Sequence, residues 1–353
     1  MDRQKVFVGL SGGVDSSVSA ALLVEQNYDV TGVFIKVWEP PQERFKKVCT
    51  WRDDRRDAMR VAAKLGIPFI TIDLSAEYKQ GVVDYMIAEY KAGRTPNPDV
   101  MCNKMVKFGA FYNWAIEQGA DYVATGHYAQ VKNGQLLKAV DDEKDQTYFI
   151  WNLTREQLKH IIFPIGGYKK PMVRKLAEKF GLATATKKDS QGLCFIGKLD
   201  VKDFLKEFIA PVPGEVVDEE GKVLGTHDGI TFYTLGERHS FKVKQTSPED
   251  KPWFVVDKDI ENNCLVVSNI PKKSQFQTTQ INLESVNWIL DEPVKDKIYT
   301  CRVRYRQVLV KCYIKKENDK WWIFFLTPEP SVTPGQSLVV YDENICLGGG
   351  IIA

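Results

Sequence analysis

No apolar run in this chain approaches the roughly 20 residues that cross a bilayer as a helix, so an α-helical membrane span is excluded. Lys5 leads straight into a first strand and leaves no room for a secretion signal, so a cytoplasmic protein that does not engage membranes is expected. No cysteine pair has C-x-x-C spacing, and no cysteine lies near one of the four histidines at zinc-ligand spacing. With an odd total of seven cysteines, a disulfide framework is excluded as well, which leaves reduced thiols in a reducing compartment. Neither sign of charge dominates, because the formal net charge is only +2. Missing too are the G-x-x-x-x-G-K-[ST] of a Walker loop and the G-x-G-x-x-G of a dinucleotide turn.

A different glycine turn is present. The apolar run Val6-Phe7-Val8-Gly9-Leu10 reads as a buried strand, Ser11-Gly12-Gly13 as a tight turn, and Val14, Val18, Ala21 and Leu22 as one face of a helix. A helix start leaves amides without intrahelical acceptors and its dipole favours negative charge, so this turn predicts a phosphate site. Ser11, Ser16 and Ser17 would add hydroxyl donors, and Asp15 sits where it could hold a magnesium ion bridging phosphates. The bland alternative is a Ser-Gly turn capped by Asp15.

At 353 residues the chain calls for two or three domains. Strands at 30–35 and 68–72, alternating with helices that carry Ala58-Val61-Ala62-Leu65 and residues 76–90, predict a doubly wound parallel sheet with ligands beyond the carboxyl ends of its strands. Gly93-Arg94-Thr95-Pro96-Asn97-Pro98-Asp99 then breaks the pattern, and a helix beginning near Val100 puts Cys102 in a first turn, where helix amides favour a thiolate. The alternative for Cys102 is a buried packing residue. A strand over 121–125 ends at Gly126 and His127, the histidine reading as structural, and Asn133-Gly134 marks a hairpin. Glycines on both sides of Cys194, in Gly192-Leu193-Cys194-Phe195-Ile196-Gly197, predict an accessible loop.

After Pro211-Val212-Pro213-Gly214 the texture changes to short strands, and after Pro271 runs with period-two alternation, such as 299–306, predict an antiparallel barrel or sandwich. Cys264, Cys301, Cys312 and Cys346 fall in those strands as packing residues. Between Arg155 and Asp189 there are nine Lys or Arg against three acids, and Arg302, Arg304, Arg306 and Lys311 form a second basic run. Two such segments could line one groove for a polyanion, the alternative being ordinary solvated faces.

Read together, SGGVDSS, GRTPNPDVMCN, ATGHYA, KDQTYF, DSQGLCFIG, TLGER, RVRYRQ and the closing CLGGGII resemble the tRNA-specific 2-thiouridylase family within the ATP pyrophosphatases, from Gly9 to Ile352. The resemblance implies three domains: an ATP pyrophosphatase domain over 1–209, a small β-rich central domain over 210–272, and a β-barrel contacting tRNA over 273–353. It implies that Gly9, Leu10, Ser11, Gly12, Gly13, Val14, Asp15 and Ser16 hold ATP with Mg2+, and that Ile35 and Gly126 lie at the nucleotide. Cys194 would carry a persulfide and Cys102 would release its sulfur, leaving a transient disulfide. Asn97, Pro98 and Asp99 would face the target base, with Asp99 a proton carrier. Lys144, Asp145, Gln146, Arg304 and Tyr305 would touch tRNA. A persulfide-donating relay protein or cysteine desulfurase would supply sulfur to what is expected to be a monomer. The chain departs from the family at His239-Ser240-Phe241-Lys242-Val243, where a basic glycine-rich run is usual, and at Ile35, where methionine is common. An amide-forming ligase with the same loop, and an RNA-binding protein that kept only the fold, are the competing classes; neither needs the two thiols.

Overall fold

In a computed structural model of the chain, residues 3–42, 51–188, 200–238, 241–243, 251–269, 278–330 and 332–353 are described. Cys194 and the whole stretch from Asp189 to Gly197 lie outside them. The first sheet has the order β3-β2-β1-β4-β7, with β1 (Lys5–Gly9), β2 (Asp29–Lys36), β3 (Phe69–Asp73), β4 (Tyr122–Ala124) and β7 (Ile161–Ile162). All its pairings are parallel, with Val6 opposite Val30 on one side and Tyr122 on the other. The order reverses between β1 and β4, so the ligand crevice of such a sheet lies beyond their carboxyl ends. The strand β7 falls inside the basic run between Arg155 and Asp189, where the sequence shows no strand pattern. Two residues are too few for a period to register.

One face of this sheet is covered by α1 (Val14–Glu25), α2 (Trp51–Leu65) and, beyond them, α6 (Lys170–Lys179). The other is covered by α3, over residues 75–91, and α4, over 98–117, each carrying a stretch of wider π-type turns. The sequence reading started α4 near Val100. The helix instead starts at Pro98, because the Asn97 side chain accepts from the Val100 amide and a proline at the first helical position needs no acceptor. A short helix, α5 (Arg155–Leu158), has a Thr154–Gln157 capping box, and α7 (Val201–Leu205) is capped by Asp200.

A second sheet, β10-β9-β8-β12-β11, follows, comprising β8 (Gly214–Val217), β9 (Val223–His227), β10 (Lys242–Val243), β11 (Phe254–Asp259) and β12 (Cys264–Ser268). The third is antiparallel, built from β13 (Thr278–Trp288), β14 (Tyr299–Arg302), β15 (Val310–Glu317), β16 (Lys320–Glu329), β17 (Ser337–Asp342) and β18 (Ile345–Ile352). It closes into a barrel where β13 pairs with β18. Gly348 sits at that seam with φ of 124°, and a Cβ there would lie 2.0 Å from the Asn287 carbonyl oxygen, so the glycine run at the chain end is a packing requirement. The hairpin of β5 (Ala129–Lys132) and β6 (Gln135–Lys138) turns at Asn133-Gly134 as expected, but it adds to the barrel through Ile345 opposite Leu137.

The hydrophobic cores cross between sheets. Phe7, Ile35, Cys102 and Phe111 share one cluster with Val255 and Leu265 of the second sheet and with Tyr233, which lies between β9 and β10. Val100, Phe108, Tyr148 and Trp151 share another with Val339, Tyr341 and Cys346 of the barrel. Tyr148 is fully buried, its hydroxyl donates to the carbonyls of Val303 (3.1 Å) and Ser337 (3.0 Å), and burial pushes its pKa well above the usual value. Tyr148→Phe should therefore destabilise the protein by about 1–3 kcal/mol, since two buried carbonyls lose their donor. An unchanged urea midpoint would show that water replaces the hydroxyl.

Candidate functional site

The loop after β1 has the shape an anion site needs. The Leu10 amide still belongs to the sheet, donating to Val33 O at 2.8 Å, and the chain then turns through Ser11 and Gly12 into α1. Gly12 has φ of +74°, and a Cβ on it would sit 2.3 Å from the Asp54 carbonyl oxygen of α2. Gly126, just past β4, is pressed against α1 so closely that a Cβ would lie 2.6 Å from the Ser16 amide nitrogen. Only glycine fits at either position, and together they bring the helix start to the β1/β4 switch point. Ser11 is exposed, and its hydroxyl lies 3.1 Å from Ser16 Oγ. Ser17 donates instead to Gly13 O at 2.7 Å and is fully buried, so its hydroxyl serves the turn and is not offered to a ligand.

Asp15 is half-buried and held by two residues that the sequence reading missed. Lys170 Nζ lies 2.8 Å from both carboxylate oxygens, and the Tyr128 hydroxyl donates to Oδ1 at 2.8 Å. Lys170 opens α6, its amide donates to Asp141 Oδ2, and its side chain is only 10% exposed. A lysine beside a proline at a helix start was the available signal, lost among the other basic residues of that run. Three others of the run are used in ion pairs within the chain: Lys159 with Glu156, Lys179 with Glu25, and Lys187 with Asp54 and Asp57.

Among the described residues no group of three or more His, Cys, Asp or Glu could hold a metal. Asp15 alone supplies a carboxylate at the loop. A magnesium ion there would take its other oxygens from phosphates and water, which is its usual preference, so the residues fit.

Ile35 is 5% exposed, on the same sheet face as Cys102. The helix α4 passes Gly9 at Phe111, whose ring lies 3.6 Å from where a Gly9 Cβ would be. It then runs down to Ala120 and Asp121, whose amide meets Lys5 O at the other end of β1. Its earlier residues, Cys102 among them, therefore rise past the carboxyl edge of the sheet, toward the crevice. Because α4 starts at Pro98, Cys102 stands in its second turn with its amide already bonded within the helix, a correction to the first-turn expectation. Cys102 is 0% exposed.

Asn97, Pro98 and Asp99 are each half-buried at the top of α4. The turn before them is held from three directions. Lys258 of β11 donates to Gly93 O at 2.5 Å, Gln336 donates to the carbonyls of Thr95 (2.7 Å) and Pro96 (3.1 Å), and Arg94 pairs with Glu89 and with Glu284 of β13. His127 is buried between Phe108 and Phe163, its Nδ1 2.7 Å from Thr125 Oγ1, and acts structurally.

The residues expected at tRNA divide. Asp145 is 1% exposed and accepts from the Ala139 amide and from Thr147, so its side chain faces inward and holds the loop, contrary to the expectation of a tRNA contact. Burial raises its pKa, opposed by those hydrogen bonds and by Arg302. Gln146 accepts from the Tyr128 amide, tying this loop to the residue that holds Asp15. Lys144 is half-buried beside it. Tyr305 packs on Phe149 at 4.6 Å, and Arg306 donates to Glu143 O, so the 143–149 and 304–306 segments meet. Arg304 donates to Leu235 O and Thr333 Oγ1 and lines a cleft of about 370 Å³ with Thr234, Glu237 and Gln336.

Comparison with known proteins places this geometry in a family. The profile described as the tRNA methyl transferase HUP domain matches residues 4–198, the tRNA methyl transferase PRC-barrel domain matches 202–269, and the aminomethyltransferase beta-barrel domain matches 278–352. A curated relative from Halalkalibacterium halodurans, a tRNA-specific 2-thiouridylase, is 46% identical over 99% of this chain and 95% of its own length. One of the same description from Proteus mirabilis is 44% identical over 99% of this chain and 97% of its own. Among solved structures, a 4-thiouridine synthetase in complex with RNA aligns over 58% of this chain and 50% of its own at 20% identity with a TM-score of 0.37, too distant to argue from.

Burial pushes the His127 pKa well below its ordinary value. The unfolded chain takes up a proton there near pH 6.5 that the folded chain refuses, so the contribution to stability is present above that pH and is lost as pH falls toward the folded value. The His127→Gln variant should consequently lose less melting temperature than the wild type between about pH 7.5 and about pH 5. Equal losses would show that other groups set the acid limit.

Proposed function

The chain belongs to the tRNA-specific 2-thiouridylase family, and from that premise we propose that it replaces the C-2 oxygen of the wobble uridine of tRNA by sulfur at the expense of ATP, releasing AMP and pyrophosphate. The protein is a sulfurtransferase of three domains, taken as 1–209, 210–272 and 273–353. The observation that carries the reading is that the Gly12–Gly126 cradle and the Cys102-bearing top of α4 share one edge of the parallel sheet.

A pyrimidine carbonyl is a poor electrophile, and adenylation turns its oxygen into a leaving group. In this reading Gly9, Leu10, Ser11, Gly12, Gly13, Val14 and Ser16 cradle the ATP phosphates, chiefly through free amides at the start of α1, while Ile35 and Gly126 border the nucleotide. Lys170, the one lysine that reaches the loop's carboxylate among the described contacts, supplies positive charge as pyrophosphate departs. Asp15 would hold Mg2+, which when bound offsets the phosphate charge. Asn97, Pro98 and Asp99 meet the base, Asp99 taking or returning its proton, and Lys144, Gln146, Arg304 and Tyr305 hold the RNA.

Sulfur arrives on Cys194 as a persulfide donated by a relay protein or a cysteine desulfurase. Its terminal sulfur attacks C-2, the C–O bond breaks, and AMP leaves with the oxygen. The Cys102 thiolate then attacks the Cys194 sulfur, the S–S bond to the base sulfur breaks, and 2-thiouridine departs. The resulting Cys102–Cys194 disulfide is reopened by a dithiol reductant. The burial of Cys102 keeps its thiol from stray oxidation until the base is docked. The site of action in this reading is the cytoplasm; among the described residues no helix is long and apolar enough to cross a membrane.

Nucleoside mass spectrometry of tRNA incubated with ATP, magnesium, cysteine and a cysteine desulfurase tests the reading. A 2-thiouridine peak is expected from the wild type, and none from Cys102→Ser or Cys194→Ser, although both should still release pyrophosphate when tRNA is present. Thiolation by either serine variant would refute the relay. Asp15→Ala should stop pyrophosphate release, and Lys170→Met should slow it by about 100-fold, the size of effect expected for one charge at a phosphoryl site. A Lys170→Met enzyme as fast as the wild type would remove Lys170 from the site.

A further inference from the structure

The cleft that Arg304 lines lies where three parts of the chain meet. One wall is the 234–237 segment, which is anchored on β11: Tyr233 O accepts from Lys258 Nζ at 3.0 Å, the Gly236 amide donates to Val255 O at 2.8 Å, and the Val255 amide donates back to Glu237 O at 2.8 Å. Another wall is the barrel loop Thr333-Pro334-Gly335-Gln336, closed by the Gln336 amide donating to Thr333 O at 3.2 Å. Both walls touch the turn that leads to Asn97–Asp99. The Thr95 amide donates to Pro334 O at 3.0 Å, and the Thr95 and Thr234 hydroxyls lie 3.3 Å apart. Gly335, with φ of +88°, is pressed so close that a Cβ on it would sit 3.0 Å from the Thr95 main chain.

Bonding capacity remains in the cleft after these contacts. Arg304 uses Nη2 on Leu235 O (3.3 Å) and Thr333 Oγ1 (3.2 Å), and its amide donates to Gln307 Oε1 at 3.2 Å, so side chain and backbone are both fixed. Among the described hydrogen bonds Nε and Nη1 make none, which leaves one edge of an oriented guanidinium for an oxyanion. Gln336 uses Nε2 on Thr95 O and Pro96 O, so the group left to it is the acceptor Oε1. Glu237 accepts from the Thr234 amide at 3.0 Å, which fixes a carboxylate in the same cleft. One cation and two acceptors suit a ligand with an anionic group and an N–H edge. The volume of about 370 Å³ lies within the roughly 300–1,000 Å³ of small-molecule sites, which favour domain junctions of this kind. A single nucleotide matches on both counts.

Resting on the tRNA reading above, we propose that this cleft is a subsite for a nucleotide that flanks the target uridine, with Arg304 on its phosphate and with Gln336 and Glu237 accepting from the N–H edge of its base. Its place follows from chain continuity. Pro96, whose carbonyl Gln336 holds, immediately precedes Asn97, so the cleft borders the turn that meets the uridine. One short loop registers the two sites, because Thr333 holds Arg304 and Gln336 holds Thr95 and Pro96. A phosphate seated on Arg304 therefore fixes how far the neighbouring uridine reaches along Asn97–Asp99. Glu237 and Gln336 determine specificity here, since two acceptors reward a base that offers N–H groups and penalise a missing or blocked one.

Equilibrium binding of full-length tRNA without ATP tests this on the wild type, Arg304→Ala and Glu237→Ala. The tRNAs are assembled by ligation and carry, on the 5′ or the 3′ side of the target uridine, either an abasic residue or an uncharged methylphosphonate linkage. On at least one side the abasic residue should weaken wild-type binding about ten-fold, the size expected when a base loses a charged acceptor, and should weaken Glu237→Ala by no more than about three-fold. The methylphosphonate should cost the wild type about five-fold and Arg304→Ala nothing, and Arg304→Ala should lower the slope of log Kd against log salt by about one. Should Glu237→Ala not fold, Glu237→Gln, which keeps an acceptor for the Thr234 amide and gives up the charge, takes its place. Losses equal in the wild type and the variants on both sides for either probe, or a wild type indifferent to the abasic residue on both sides, would overturn the subsite. The thiolation reading then stands if 2-thiouridine still forms from unmodified tRNA. Losses that shrink in the variants as expected, with no 2-thiouridine formed, would instead overturn the thiolation reading and keep the subsite, and a protein that binds no tRNA would overturn both.

Discussion

Apolar burial that runs from one sheet into the next is the constraint from which the other features follow. Cys102 and Phe111 of α4 lie in the same cluster as Val255 and Leu265 of the second sheet, while Val100 and Phe108 of the same helix lie in a cluster with Val339 and Tyr341 of the barrel. One helix thus buries its two faces in two different neighbours. Each large side chain in such a seam contributes about 1.5–3 kcal/mol of transfer free energy, so separating the sheets would expose more apolar surface than a domain of ordinary stability can offset. The top of α4 is consequently held by all three sheets at once, and the turn before it has little freedom of its own.

Polar contacts refine what the packing sets. Gly93, Thr95 and Pro96 give their carbonyls to Lys258 and Gln336, and the Thr95 amide goes to Pro334 O at 3.0 Å. Main-chain groups in a buried turn must find partners, and here those partners come from the second sheet and the barrel. The turn that carries Asn97, Pro98 and Asp99 and leads to Cys102 is in this way coupled to the barrel that bears Arg304 and Tyr305. The coupling has physical content: a shift of the barrel would change the hydrogen bonds of that turn directly.

Charge at the strand edge is arranged with similar economy. Asp15 and Lys170 neutralise one another beside free helix amides, so the loop carries no net repulsion toward a phosphate and can hand the carboxylate to a cation. Inside the barrel seam, Asp145 and Arg302 approach to 3.7 Å with almost no exposure, and Thr147 and the Ala139 amide satisfy the carboxylate. A carboxylate buried in that way fixes a loop. It explains why a residue flanked by RNA-contact candidates turns out to face inward, since one outward-pointing charge more or less leaves no trace in a string of letters.

Local rules made much of this protein legible in advance. Strand, double glycine and helix at residues 6–22 dictate a tight turn into α1 because their effect is carried by adjacent backbone, and Asn133-Gly134 dictates its hairpin for the same reason. Periodicity likewise announced a parallel sheet followed by antiparallel strands, and the β13–β18 pairing decided that these close into a barrel. Pairings between residues far apart in the chain were beyond reach: Lys170 with Asp15, Lys258 with Gly93 and Tyr233, and the hairpin's attachment to the barrel each depend on where distant segments come to rest. Ser17 and Cys102 illustrate the same divide, for the chain names the hydroxyl and the thiol while packing alone decides whether either faces a ligand. Sequence by itself determined which chemistry the molecule could perform, because reactivity belongs to residue types; tertiary structure decided which groups are free to perform it, because burial and hydrogen-bond partnership are set by the whole fold.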